Sequence, residues 1–103
     1  MFEVQMLVPA TDNDGKVFPS DIVLEFEAAI LDAFGGFSLL PSEIAGEWRS
    51  NAGVRYRDRS RCYLIAVESI ARGGDLVALA ELAKNMFSQE AIAIRYLGQL
   101  EVL

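Results

Sequence analysis

The chain has 103 residues, of which 52% are hydrophobic and 23% are charged, and its formal net charge is −6. This length fits a single domain, 1–103, and the apolar content excludes a disordered chain. No apolar run approaches the roughly 20 residues that span a bilayer. The acidic balance argues against non-specific binding to nucleic acid, because phosphate repulsion acts over the whole surface.

The start of the chain, MFEVQMLVPA, indicates a strand and not a secretory signal. It lacks a basic leader, and Glu3 and Gln5 interrupt its apolar run. The single cysteine, Cys62, cannot form an internal disulfide, which is consistent with a reducing compartment. We therefore expect a cytoplasmic protein.

The first strand is predicted from alternation, because one parity carries only the apolar residues Phe2, Val4, Met6 and Val8. Pro9 helps to end this strand. The segment TDNDGK, 11–16, then predicts a solvated turn. A calcium loop is disfavoured because Ala10 stands where the first carboxylate ligand would be, and Asp21 stands where a bidentate Glu is expected.

The first helix is predicted to have Ser20 as its N-cap and to end at the pair Gly35-Gly36. A phosphate cradle is a weaker interpretation of that pair, since a cradle needs its glycines before a helix. Glu25, Glu27 and Asp32 are expected in water, and 37–41 is expected to be irregular. The apolar stripe comprises Ile22, Val23, Phe26, Ala29, Ile30, Ala33 and Phe34.

The stretch 43–68 predicts a long β-hairpin that turns at Asn51-Ala52-Gly53. If Ser50 faces Val54, chemically matched residues lie opposite one another along the whole ladder. A slip of one residue would set Glu47 against Asp58, a destabilising pair of like charges. The expected pairs are Trp48 with Tyr56, Glu47 with Arg57, Gly46 with Asp58, and Glu43 with Arg61.

After the hairpin, Gly73-Gly74 is predicted to break the chain and Asp75 to cap a second helix. That helix has an apolar stripe of Leu76, Leu79, Ala80, Ala83, Met86 and Phe87. The last strand is predicted over 91–97 and can be extended past Gly98 through Leu100 and Val102. Ile92, Ile94 and Tyr96 fall on one side of it, and Ala93 and Arg95 on the other.

The order β-α-β-β-α-β predicts an α+β, ferredoxin-like sandwich: a four-stranded antiparallel sheet with two helices on one face and the first and third strands central. The segment CYLIAV, 62–67, is apolar on both parities, whereas two helices cover one face only. We therefore expect a second copy of the chain to cover the other face, giving a homodimer or higher oligomer. The alternative covers are the 37–41 loop and the C-terminal tail.

Four segments, FGGFS, GEW, YRDRSRCYLIAV and FSQEAI, resemble a group of short bacterial proteins of unknown function. These proteins share an FGGF(T/S) segment, a G-x-W segment, an aspartate-bearing strand and a Q-E pair. The resemblance runs from about Phe34 to the end of the chain. It implies a fold and no reaction. The positions that it marks are Gly35, Gly36, Gly46, Trp48, Asp58, Gln89 and Glu90.

The chain has no histidine, which removes His-activated nucleophiles, His-ligated metal sites and the usual proton shuttle at neutral pH. Asp58 is the candidate acid or base, because it shares a parity with Trp48 and Tyr56 and lies opposite Gly46. A carboxylate set against aromatic side chains is a typical position for such a group. The favoured interpretation is simpler, a partner for the neighbouring arginines. Cys62 is interpreted as a small core residue.

A second candidate cluster lies on the first and last strands. Glu3 and Gln5 project together, and Arg95 is expected to reach Glu3, beneath a ligand or at a dimer seam. Which face of 54–68 meets the helices stays open, because a bulge between Val54 and Tyr63 would swap the faces.

Three function classes follow from these features. The leading one is a homo-oligomeric binding or interaction module that uses the open sheet face. The second is a small enzyme of the dimeric α+β barrel type, without cofactor or metal, in which Asp58, Tyr56 and Trp48 line a pocket that takes a small molecule. The third is RNA binding on the sheet, which is disfavoured because the RNA-recognition signature is absent.

Overall fold

The structure is a computed structural model that describes residues 1–101. A sheet is covered on one face by two helices, and a short 3₁₀ turn, Ile70–Arg72, precedes the second helix. None of the helices in the described range is both long and apolar enough to cross a membrane. The elements are β1 (Phe2–Pro9), α1 (Ser20–Phe34), β2 (Ser38–Leu39), β3 (Ile44–Arg49), β4 (Arg55–Val67), α2 (Gly73–Met86) and β5 (Ala93–Gln99).

The sheet confirms the ferredoxin-like prediction. Its strand order is β2-β4-β1-β5, with β3 also paired to β4, and all of these pairings are antiparallel. The predicted first and third strands, β1 and β4, are therefore central. The strand count differs, because part of the supposedly irregular segment 37–41 forms β2. With 13 residues, β4 is longer than β3, and the remainder of its edge pairs with Ser38 and Leu39.

The β3–β4 hairpin has the predicted register, with Trp48 opposite Tyr56 and Gly46 opposite Asp58. The Ser50 N–H donates to the carbonyl of Val54 at 2.9 Å, and Gly53 has the positive φ of 81° that the turn requires. The far end differs from the prediction. The ladder stops at Ile44 opposite Ser60, so Glu43 does not face Arg61.

The β1–β4 ladder is continuous from Phe2 opposite Val67 to Pro9 opposite Ser60, and this register settles the faces of β4. Its odd-numbered residues face the helices and its even-numbered residues face away. Phe26 lies at the centre of the core, with ring-edge contacts to Tyr63 and Phe87. The buried core also includes Val4, Met6, Val8, Ile30, Ile65, Val67, Leu76, Leu79, Ala80 and Ala83.

Both predicted helix N-caps are wrong. α1 begins at Ser20 with Pro19 as the preceding cap residue, and no side chain caps it. α2 begins at Gly73, because the 3₁₀ turn leads directly into it and the two glycines adopt helical geometry. Asp75 lies within the first turn and binds Arg72 at 2.5 Å. The predicted end of α1 is confirmed, since Gly35 has φ 82° and donates its N–H to the carbonyl of Leu31.

The last strand begins two residues later than predicted and contains a β-bulge. Val4 pairs with Tyr96 but Glu3 pairs with Gly98, so Leu97 is the extra residue. Gly98 takes φ 114°, which favours glycine at this bulge. β5 ends at Gln99, and the predicted extension to Val102 lies outside the described residues.

Candidate functional site

The sheet face away from the helices is called the open face. It carries the even-numbered side chains of β3 and β4 together with the odd-numbered side chains of β1. Every sequence-predicted site residue except Arg95 falls on one of these three strands, and Arg95 lies opposite Gln5 on β5. At its outer end, on the hairpin, the face carries Trp48, Tyr56 and Asp58. On the central strands it carries Gln5, Glu3 and Ala66.

The hairpin cluster, defined as Trp48, Tyr56 and Asp58, is a compact group at the outer end of this face. The two rings stack with centroids 4.5 Å apart and an interplanar angle of 17°. The Trp48 indole Nε1 donates a hydrogen bond of 2.5 Å to Asp58 Oδ2. The residue opposite Asp58 is Gly46, and no heavy atom lies within 4 Å of the position that a Cβ on Gly46 would occupy.

The partner of Asp58 is an aromatic residue and not an arginine, which corrects the favoured sequence interpretation. The hairpin arginines lie on the opposite face because their numbers are odd, and they bind glutamates there. Arg55 and Arg57 bind Glu47 at 2.8 and 2.6 Å, and Arg59 binds Glu43 at 3.1 Å. The hydrogen bonds from Arg55 and Arg57 lower the pKa of the Glu47 carboxyl.

The hairpin cluster can offer a ligand an aromatic surface beside a fixed carboxylate. Trp48 is 52% exposed and Tyr56 is 43% exposed, so the stack is open to solvent. A groove of about 390 Å³ includes Asp58 but neither aromatic ring, and it is lined by Ala45, Gly46, Glu47, Arg57, Asp58 and Arg59. This groove is open, and residues 1–101 of one chain do not close it into a deep apolar pocket.

Gln5, Cys62 and Arg95 form a second group nearer the centre of the open face. Gln5 is 8% exposed, and its Oε1 has no hydrogen-bond partner among the described residues. Arg95 lies opposite Gln5, whereas the bulge places Glu3 opposite Gly98. Within residues 1–101, no ion pair joins Glu3 to Arg95, so the expected contact between them is not formed.

Cys62 is fully buried, which fits its interpretation as a packing residue. Burial raises the pKa of its thiol, while the neighbouring Gln5 amide and the charge of Arg95 act in the opposite direction. We expect Cys62 to react with a disulfide reagent at pH 8 at least about tenfold more slowly in the native protein than in denaturant. Equal rates under the two conditions would show that the thiol is accessible in the folded chain.

The sequence reading missed a polar network of Glu27, Arg61 and Tyr63. Glu27, expected in water, has a side chain only 16% exposed. Its Oε2 accepts from Arg61 at 3.1 Å and from the Tyr63 hydroxyl at 2.8 Å, and Arg61 Nε donates to that hydroxyl at 3.0 Å. The network depends on Arg61 facing α1, which the sequence left open because a bulge between Val54 and Tyr63 would swap the faces of this strand.

Burial raises the pKa of Tyr63 to about 12. For Arg61, burial alone would lower the pKa, but the hydrogen bonds and charges of Tyr63 and Glu27 outweigh it and the pKa is raised.

The network borders a cavity of about 320 Å³, whose walls include Val17 and Leu24. Since each member already has a partner, the network ties α1 to β4.

Gln89 and Glu90, marked by the sequence resemblance, follow α2. The Gln89 side chain donates to the carbonyl of Phe87 at 2.9 Å, and its backbone N–H donates to the carbonyl of Lys84 at 2.9 Å. Glu90 is exposed. Gln89 therefore stabilises the turn that leads into β5.

No family model matches this chain, and no curated protein matches it in sequence. Solved structures do match in fold. A phage SAM lyase in complex with S-methyl-5'-thioadenosine superposes with a TM-score of 0.70 and 17% sequence identity, over 94% of this chain and 80% of that chain. The chain has the fold of a SAM lyase. A phage SAM lyase in the apo state gives a TM-score of 0.68 and 18% identity, over 94% of this chain and 79% of that chain.

The hairpin cluster and the open face therefore lie on a fold that this chain shares with the phage SAM lyase. At 17–18% identity the similarity establishes the arrangement of sheet and helices and leaves the chemistry to the residues of this chain.

Proposed function

We propose that the protein is a small enzyme that binds an adenosyl sulfonium or its thioether product at the hairpin cluster and cleaves the sulfonium. The observation that carries this proposal is the exposed stack of Trp48 on Tyr56 with the Asp58 carboxylate fixed beside it. The fold of a SAM lyase in complex with S-methyl-5'-thioadenosine supports the choice of ligand class.

The chemistry of the cluster suits both ends of such a ligand. The purine ring of an adenosyl compound is flat and stacks on exposed aromatic side chains, as bases do in nucleic-acid sites. A sulfonium carries a positive charge on a sulfur atom that is bonded to alkyl carbons. Aromatic faces and a nearby carboxylate attract such a cation. Because Trp48 Nε1 holds Asp58, the carboxylate keeps its position as the ligand binds.

The reaction needs neither a metal nor a redox cofactor. Cleavage of the bond between the sulfonium sulfur and the amino-acid chain sends the bonding electron pair to sulfur, which becomes a neutral thioether. In the same step the carbon that loses sulfur gains a new bond: either a proton on the adjacent carbon goes to a base and a carbon–carbon double bond forms, or a nucleophile within the substrate attacks it. In the first course Asp58 takes the proton, and in the second Asp58 holds the sulfonium in position for that attack.

Binding tests the site. We expect titration calorimetry to detect S-methyl-5'-thioadenosine binding to the wild-type protein, and Trp48→Ala to weaken it by at least about tenfold, or about 1.4 kcal/mol. Tyr96→Ala is the matched control, because Tyr96 is 67% exposed on a different strand. Equal losses in the two variants would place the ligand away from the hairpin cluster.

Turnover separates an enzyme from a binding module. We expect the wild-type protein to convert SAM to S-methyl-5'-thioadenosine in a chromatographic assay. Asp58→Asn should bind the thioether and lose most of this conversion, because the amide keeps an acceptor for Trp48 and removes the charge. Binding without conversion in the wild type would favour the other function class, a ligand-binding module without catalysis.

A further inference from the structure

The inner part of the open face is apolar, and within residues 1–101 no helix lies over it. Leu7 on β1 and Leu64 and Ala66 on β4 are only partly buried, although they lie on the two central strands. The core side chains of both helices pack on the other face of the sheet. A contact from outside residues 1–101 of one chain would complete the burial of this apolar strip.

A polar atom within the strip also lacks a partner. Gln5 Oε1 is buried and accepts no hydrogen bond from any described residue. Buried amide oxygens are nearly always paired, because leaving one unpaired costs the desolvation of that group. The described part of the single chain therefore leaves one hydrogen bond beneath this face unmade.

The sequence left the 37–41 loop and the C-terminal tail as alternative covers of this face, but both make other contacts. Part of the 37–41 segment pairs with the edge of β4 as β2, so it extends the sheet instead of crossing its face. The C-terminal segment continues beside β1, where the Leu100 N–H donates to the Met1 carbonyl at 2.9 Å. Neither segment, as far as residue 101, covers Leu7 and Leu64.

The charges on this face favour a second copy of the chain as the occupant. Glu3 is partly buried and Arg95 is exposed, and neither binds the other within the chain. The face therefore carries one carboxylate and one guanidinium on neighbouring strands, flanking Gln5. A two-fold axis through such a face sets Glu3 of one copy against Arg95 of the other and makes each ion pair twice.

We propose that the open face binds a second copy of this chain, with Glu3 and Arg95 forming reciprocal ion pairs across the interface. The charge pattern is self-complementary, which favours a second copy over an unrelated protein. This proposal does not depend on the adenosyl ligand, and its test requires no ligand.

A charge swap tests the interface. Light scattering after gel filtration at about 10 μM should show the wild-type protein as an oligomer. Glu3→Arg and Arg95→Glu should each raise the dissociation concentration by at least about tenfold, because each sets like charges against one another. The double variant Glu3→Arg/Arg95→Glu should restore the wild-type mass, since the reversed charges pair again.

Glu25→Arg provides the control, because Glu25 is exposed on α1, away from the open face. It makes the same charge change and should leave the mass unaltered. Circular dichroism would establish that each single variant is folded. A monomeric wild type, single variants that keep the oligomer, or a double variant that stays dissociated would each overturn the proposal.

Discussion

Phe26→Ala should lower the free energy of unfolding by about 3–5 kcal/mol, which is the usual loss when a buried aromatic is truncated and leaves a cavity. Phe26 is fully buried, and its ring lies 5.6 Å from that of Tyr63 and 5.5 Å from that of Phe87, in edge-to-face geometry. It therefore joins α1 to the sheet and to the end of α2. Urea denaturation followed by circular dichroism measures the change.

The matched control for Phe26 is Leu24→Ala. Leu24 lies two residues earlier in α1 and is 63% exposed, so its truncation should change stability by no more than about 0.5 kcal/mol. Domains of this size are stable by roughly 5–15 kcal/mol, so the Phe26 loss would be a large fraction of the total. Similar losses in the two variants would mean that Phe26 is not at the centre of the core.

The sheet was predictable because the information that sets it is local. Alternating polarity fixes the faces of β1, and complementary residues on either side of the turn at Gly53 fix the register of the hairpin. The helix starts were not predictable in the same way. Pro19 and the 3₁₀ turn at Ile70–Arg72 set where α1 and α2 begin, and Ser20 and Asp75, which look like caps, lie inside the helices.

For the hairpin cluster, the sequence predicted which residues lie together but not the partner of Asp58. The register brings Trp48 and Tyr56 together, and parity adds Asp58 to the same face, so the grouping follows from spacing alone. The partner of Asp58 was mistaken because sequence neighbours on a strand point to opposite faces. Its adjacent arginines therefore cannot reach it from their own face.

Contacts between distant elements account for the remaining differences. Glu3 and Arg95 lie diagonally across β1 and β5, and the bulge at Leu97, which alternation of polarity does not predict, sets Glu3 opposite Gly98. Glu27 follows Phe26 in α1, so its environment depends on how close the helix comes to Arg61. No local pattern specifies that approach.

Tyr63 should make the protein lose stability at alkaline pH. Burial raises its pKa in the folded chain to about 12, compared with an ordinary value of 10.0. The folded state therefore holds the phenolic proton at pH values where the unfolded state has released it. This contribution is complete below pH 10 and is lost as the pH rises toward 12, at about 1.4 kcal/mol per pH unit and roughly 2–3 kcal/mol in all.

Tyr63→Phe tests this pH dependence, because it keeps the ring beside Phe26 and removes the ionisable group. Urea midpoints at several pH values between 9 and 12 should fall more steeply for the wild type than for the variant. The stability difference between the two proteins should therefore shift in favour of the variant as the pH rises. Parallel pH profiles would contradict the raised pKa, and with it the burial of the Tyr63 hydroxyl between Glu27 and Arg61.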